Sequence, residues 1–75
     1  MPDYLNSTQL SRVYKKGNRY FCSQVQGKNL CRVQIEPGEA EQLADLDQDE
    51  LDEFVETILR LERSAGSENY YEVRM

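Results

Sequence analysis

The feature that most constrains this chain is residues 46–66, "LDQDELDEFVETILRLERSAG", which can bury its apolar side chains together only as a helix. Leu51, Phe54, Val55, Ile58, Leu59 and Leu61 or Glu62 recur at intervals of three and four, so helical geometry gathers them on one broad face. Both ends carry boundary signals. Asp47 with Glu50 three positions later makes a capping box, and Leu46 before the cap with Leu51 after it makes the matching hydrophobic staple. Ala65-Gly66 ends the segment, with Gly66 suited to the left-handed position beyond the last turn. Acids crowd the first turns while Arg60 and Arg63 occupy the last, which complements the helix dipole, and Glu56 and Arg60 stand in the favourable i, i+4 order. A helix is expected over 48–65, and its apolar face needs a surface to lie on.

The upstream half supplies one. "SRVYKKGNRYFCSQVQGKNLCRVQI" reads as strands 11–16, 19–25 and 28–35, rich in Val, Tyr, Phe and Ile, with "KGN" and "QG" providing the glycines of tight hairpins. Taking Gln26-Gly27 as a two-residue type I′ loop pairs Val25 with Lys28 and sets Cys22 opposite Cys31. Tyr20, Cys22, Cys31 and Val33 then share one face and Phe21, Ser23, Leu30 and Arg32 the other; the first set, free of charge, is the expected core face. Pro37-Gly38 breaks the third strand, and within the connector 36–47 Glu39–Ala44 makes a helical turn with Leu43 and Leu46 as its apolar contacts. "NYYEVRM" alternates Tyr71, Val73 and Met75 against Tyr70, Glu72 and Arg74, a last strand over 69–75 that pairs with the hairpin sheet. Residues 1–10 show no periodicity and read as a loose lead-in. The expected fold is a single α+β domain, β-β-β-α-β, with a small antiparallel or mixed sheet and one amphipathic helix packed on one face.

Composition narrows the function. The 75 residues include no histidine, the usual general base near neutral pH, and a chain this short has little room for a pocket that excludes water. Two cysteines are too few for a disulfide scaffold or a four-ligand zinc site. The expectation is a non-enzymatic protein with no cofactor and no metal. No apolar run approaches the ~20 residues that cross a bilayer, and the N-terminus lacks a signal-peptide pattern. The protein is therefore expected in the cytoplasm, of the producing cell or of a host, with no membrane partner and with Cys22 and Cys31 reduced.

Charge is distributed unevenly. Residues 1–35 carry six Lys/Arg against Asp3 alone, whereas residues 36–75 carry thirteen acids against Arg60, Arg63 and Arg74. Such asymmetry points to an interaction surface. In "DLDQDELDEFVE", residues 45–56, seven of twelve side chains are carboxylates. Asp45, Asp47, Asp49 and Glu56 fall at positions 1, 3, 5 and 12 of a calcium-binding loop, but the glycine required at position 6 is Glu50 and the apolar position 8 is Asp52. A wrapped loop would also scatter Leu51, Phe54, Val55 and Ile58, so the capped helix is the preferred geometry. It leaves Asp45, Asp47, Asp49, Asp52, Glu53 and Glu56 as an anionic ridge that can imitate a row of phosphates to a basic cleft.

A second candidate surface is basic. "YKKGNRYF" sets Lys15, Lys16 and Arg19 around a hairpin tip among Tyr14, Tyr20 and Phe21, and Lys28 and Arg32 follow on the next strand. Cations interleaved with aromatics can hold phosphates and stack bases. Up to "VQGK" this stretch of some 25 residues resembles the three-stranded DNA-binding domains at the N-termini of tyrosine integrases, which place a strand–N-G-K–strand hairpin before a helix; it departs from that pattern at Gln26. The whole chain, a tiny acidic sheet-plus-helix protein without a catalytic constellation, resembles in architecture and composition the phage-encoded proteins that inhibit host machinery, including anti-CRISPR proteins. No motif carries that likeness, so it assigns no residue. It implies a stoichiometric inhibitor that occupies a basic, nucleic-acid-binding surface of a larger protein through the six acids of the ridge. Nucleic-acid binding through Lys15, Lys16, Arg19, Lys28 and Arg32 is the second reading. A homo-oligomer covering Phe21, Leu30, Tyr70 and Tyr71 is the third.

Overall fold

A computed structural model of the chain describes residues 10–74. Of the expected lead-in, residues 1–9 lie outside the described residues, as does Met75 at the end of the last strand. The element order is β1 (Ser11–Lys16), β2 (Arg19–Gln26), β3 (Asn29–Ile35), α1 (Pro37–Ala44), α2 (Gln48–Ala65) and β4 (Tyr70–Arg74). The strands form one antiparallel sheet in the order β1-β2-β3-β4, and both helices lie on one face of it. This is the α+β architecture that the residue pattern predicts, with a second helix added.

The hairpin loops explain the register. β1 and β2 close at Lys16↔Arg19 over Gly17-Asn18, and β2 and β3 close at Gln26↔Asn29 over Gly27-Lys28. Gly27 has φ +64 and stands first in its loop, the arrangement of a II′ turn, whereas the I′ loop expected at Gln26-Gly27 would place it second. The pairing is consequently Cys22↔Val33 and Gln24↔Cys31, so Cys22 does not lie opposite Cys31. Moving the loop by one residue displaces the partner strand by two. Two is the side-chain period of a strand, which is why the predicted faces survive the corrected register. Gln26 stays in the strand because its side chain is engaged: Nε2 donates to Gln24 Oε1 (2.7 Å), and Oε1 accepts from Arg63 Nη2 (2.7 Å).

α1 is a complete two-turn helix where the sequence predicts a single turn. Pro37 occupies its first positions, where the missing N–H is one the helix could not pair in any case. Ala40 and Leu43 are its buried residues. α2 has the predicted ends. Asp47 Oδ1 accepts from the Glu50 N–H (2.9 Å), and beyond the last turn Gly66 (φ +67) and Ser67 donate to the carbonyls of Arg63 and Glu62 (3.2 and 3.1 Å), a Schellman closure.

The core consists of Cys22, Cys31, Val33 and Ile35 from the sheet, Ala40 and Leu43 from α1, and Leu51, Val55 and Leu59 from α2, with Val13, Tyr20, Leu46, Ile58 and Tyr70 packed at its margin. The buried stripe of α2 is narrower than its sequence suggests. Phe54 and Leu61 are 54% and 62% exposed, because a helix flanked by α1 rests only its i, i+4, i+8 row on the sheet.

Candidate functional site

Two surfaces of opposite character result, one on each side of the sheet. The helical side is acidic. Residues 36–66 carry eleven Asp/Glu against Arg60 and Arg63, and among the described residues the one ion pair is Arg63 Nε to Glu72 Oε1 at 3.8 Å, between α2 and β4. The carboxylates of α2 are thus largely uncompensated.

Within the predicted ridge the six acids divide by task. Asp47 is spent on the cap of α2. Asp52 is half-buried: Oδ1 accepts from the backbone N–H of Ser11 and from Gln48 Nε2, both at 2.9 Å. Around it runs a clasp joining the first turns of α2 to the start of β1. Gln24, only 1% exposed, donates from Nε2 to Ser11 Oγ (3.1 Å) and to the Asp52 carbonyl (3.0 Å), and Gln48 Nε2 donates to the Ser11 carbonyl (3.2 Å). Asp45 sits exposed at the end of α1, and Asp49, Glu53 and Glu56 follow one another at i, i+4, i+7 along the flank of α2 that faces away from α1. Asp45, Asp49 and Glu53 are exposed and remain available, whereas Glu56 is half-buried in a cleft that it lines with Gln26, Arg60 and Arg63. Among the described residues no three His, Cys, Asp or Glu side chains are grouped to hold a metal ion.

The other flank of α2 carries a feature the sequence reading assigned to the core. Phe54 and Ile58 border a groove against α1 lined by Glu39, Gln42, Leu43 and Leu46, and Leu61 extends the same stripe one turn further. The outward half of α2 therefore offers apolar side chains on one side and carboxylates on the other.

A second polar cluster stands where the C-terminal half of α2 meets β4. Arg63 donates to Gln26 Oε1, to Tyr70 OH (3.0 Å from Nε) and to Cys31 Sγ (3.7 Å), and Tyr70 OH donates to Glu72 Oε1 (2.7 Å). Burial first, then the neighbouring Cys31 and Glu72, push ionisation of Tyr70 upward, and the bond to Tyr70 raises Arg63. Burial also pushes the Cys22 thiol up to about 12, reinforced by the charge of Glu39. Cys22 and Cys31 are free thiols and fully buried. No buried side-chain nitrogen or oxygen among the described residues lacks a hydrogen-bond partner, while the Arg63–Tyr70–Glu72 cluster is open to solvent.

The sheet face turned away from the helices is basic and aromatic. Register places Arg12, Tyr14 and Lys16 of β1 beside Arg19, Phe21, Ser23 and Val25 of β2, Leu30, Arg32 and Gln34 of β3, and Tyr71 and Val73 of β4. Among the described residues it bears no carboxylate. Tyr14 stacks on Phe21 with centroids 5.5 Å apart, and the Arg32 guanidinium lies 4.9 Å from the ring centroids of both Phe21 and Tyr71. The five predicted nucleic-acid residues do not all meet here. Lys16, Arg19 and Arg32 share the face, Lys15 points to the helical side with Nζ 5.5 Å from the Tyr20 ring, and Lys28 sits in the loop at the opposite end of β2. Of the expected oligomer surface, Phe21, Leu30 and Tyr71 lie on this face while Tyr70 belongs to the core side. Arg12 and Tyr71 were missed as partners of the basic face. Strand alternation gives Arg12 the same side as Tyr14 and Lys16, but nothing local puts Tyr71 opposite Arg32.

Comparison with protein families, with curated proteins and with solved structures finds no match to this chain. No helix of the described residues is long and apolar enough to cross a membrane.

Proposed function

We propose that the protein is a non-enzymatic binding module, a small acidic inhibitor or regulator that blocks a basic, nucleic-acid-binding surface of a larger protein in the cytoplasm, in the manner of the phage anti-CRISPR proteins it resembles. The observation that carries this reading is the outward half of α2, where Asp49 and Glu53 are exposed and, like Glu56, take part in no ion pair among the described residues, while Phe54 and Leu61 are more than half exposed. Uncompensated carboxylates speed and orient encounter with a cationic cleft, and an exposed aromatic supplies the anchor that charge alone does not. Asp45 extends the anionic surface. Asp47 and Asp52 hold the fold and contribute field alone. The lack of histidine supports a role without catalysis.

The test is capture from bacterial lysate with two baits, the wild type and Asp49→Lys/Glu53→Lys, at low and at high salt. The wild type retains a basic protein that is lost at high salt, and the charge-reversed bait, with unchanged circular dichroism, retains none. Equal capture by both baits contradicts the proposal.

A further inference from the structure

We infer that the open face of the sheet binds single-stranded nucleic acid, its bases stacked on the row Tyr14–Phe21–Arg32–Tyr71 and its phosphates held by Arg12, Lys16 and Arg19. The inference does not depend on the acidic face of α2; it concerns the opposite side of the molecule.

The row takes one planar group from each of the four strands. Tyr14 and Phe21 are cross-strand partners and stack at 5.5 Å; Arg32 and Tyr71 are cross-strand partners and lie at 4.9 Å, with Arg32 equally close to Phe21. Strands spaced about 4.8 Å apart make such a row about 14 Å long, enough for two or three bases laid on a four-stranded sheet. The Arg32 guanidinium, 4.9 Å from the centroids of both rings, puts a charge within the row, and arginine and aromatic side chains both accept a stacked base. Tyr71, at the end of the row on the edge strand, is 54% exposed.

Charge complements this geometry. Among the described residues Arg12, Lys16, Arg19 and Arg32 are four cations on a face without an acid, and no described element covers it. The carboxylates that would repel a polyanion lie behind the sheet, on the helical layer, where intervening protein and salt separate them from a bound strand. A ligand that alternates planar faces with anionic groups matches the surface better than an acidic protein patch, which supplies the charge without the planes. Stacking and phosphate contacts are common to both nucleic acids, so DNA and RNA strands should bind with similar affinity.

Fluorescence anisotropy with labelled single strands of about twelve bases, thymidine DNA and uridine RNA, against a duplex of the same length tests this. Both single strands are expected to bind better than the duplex. Counting the charge of Arg32 with the three phosphate-holding cations, the affinity falls about 50-fold between 50 and 200 mM salt. Tyr71→Ala, on an exposed edge position that the core does not need, weakens binding about five- to a hundredfold, the range of one lost stacking contact. Arg32→Gln weakens binding and lowers the salt dependence, and Asp49→Lys/Glu53→Lys leaves binding intact or tighter, which separates this inference from the fate of the helical face. Absence of single-strand binding at low salt overturns it. So does equal affinity for duplex with no effect of Tyr71→Ala, which would reduce the face to charge alone. Concentration-dependent association in sedimentation that Tyr71→Ala abolishes would instead assign the face to a second copy of the chain.

Discussion

Removing the Asp52 carboxylate separates the acids that hold the fold from those left free. Asp52→Ala deletes two charge-assisted hydrogen bonds of 2.9 Å, one from the Ser11 backbone and one from Gln48. Hydrogen bonds to a charged group contribute about 1.5–3 kcal/mol each when buried, and less when, as with Gln48, the pair is exposed. Ser11 is 2% exposed, so its N–H is left without a partner and solvent reaches it poorly. The expected loss is about 2–3 kcal/mol, a drop in melting temperature of about 10–15 °C for a domain this small. Asp52→Asn, which keeps an acceptor oxygen but not the charge, should lose about half as much. Asp49→Ala removes an exposed carboxylate whose support from the helix dipole, about 0.3–1 kcal/mol, is partly offset by relief of repulsion from Glu53 at i+4. It should shift stability by less than about 0.5 kcal/mol. Urea unfolding followed by far-ultraviolet circular dichroism measures all three at constant slope. Equal destabilisation by Asp52→Ala and Asp49→Ala would refute the division of the ridge into structural and free acids.

Other outcomes follow from the same structure. Leu59→Ala, at a fully buried position, should cost about 2–5 kcal/mol, whereas Leu61→Ala, 62% exposed, should cost under about 1 kcal/mol; comparable losses would place Leu61 in the core. Gly66→Ala forces a Cβ into a left-handed residue with nothing within 4 Å to clash, so the cost should be strain alone, about 1 kcal/mol, read as a shift in the urea midpoint. The unfolded Cys22 thiol ionises near pH 9 while the folded one keeps its proton to about 12. The folded state thus holds the proton more tightly, and stability falls as pH rises through that window, by up to about 4 kcal/mol. Cys22→Val should flatten the decline; an unchanged profile in that variant would show that the thiol does not contribute.

The elements that were legible in the sequence are those specified locally. Asp47, Glu50 and Gly66 mark the ends of α2 because capping depends on neighbours within one turn, and alternation sorted Cys22, Cys31 and Val33 from Phe21 and Arg32 because strand parity survives a shift of two. What escaped depends on distant partners. The position of the Gly27 loop is fixed in part by Gln26, which binds Gln24 two residues back in its own strand and Arg63 far along the chain on α2. Pro37 reads as a breaker, yet the same residue starts α1 because the first turn of a helix does not need its N–H. Periodicity made Phe54 and Leu61 part of the apolar face, but how wide a stripe is buried depends on what the sheet and α1 can cover. The basic residues were visible individually. That Tyr71 completes a row with Arg32 follows only once β4 is known to pair with β3.

Carbodiimide labelling of carboxylates, read by mass spectrometry on the free protein and on the protein bound to what it captures, reports which acids of α2 meet the partner. Asp49 and Glu53 should react readily when free, with half-buried Glu56 slower, and all three should become protected in the complex, while hydrogen-bonded Asp52 stays poorly reactive in both. Undiminished labelling of Asp49, Glu53 and Glu56 in the complex would contradict the assignment of the acidic flank of α2 as the partner-binding surface.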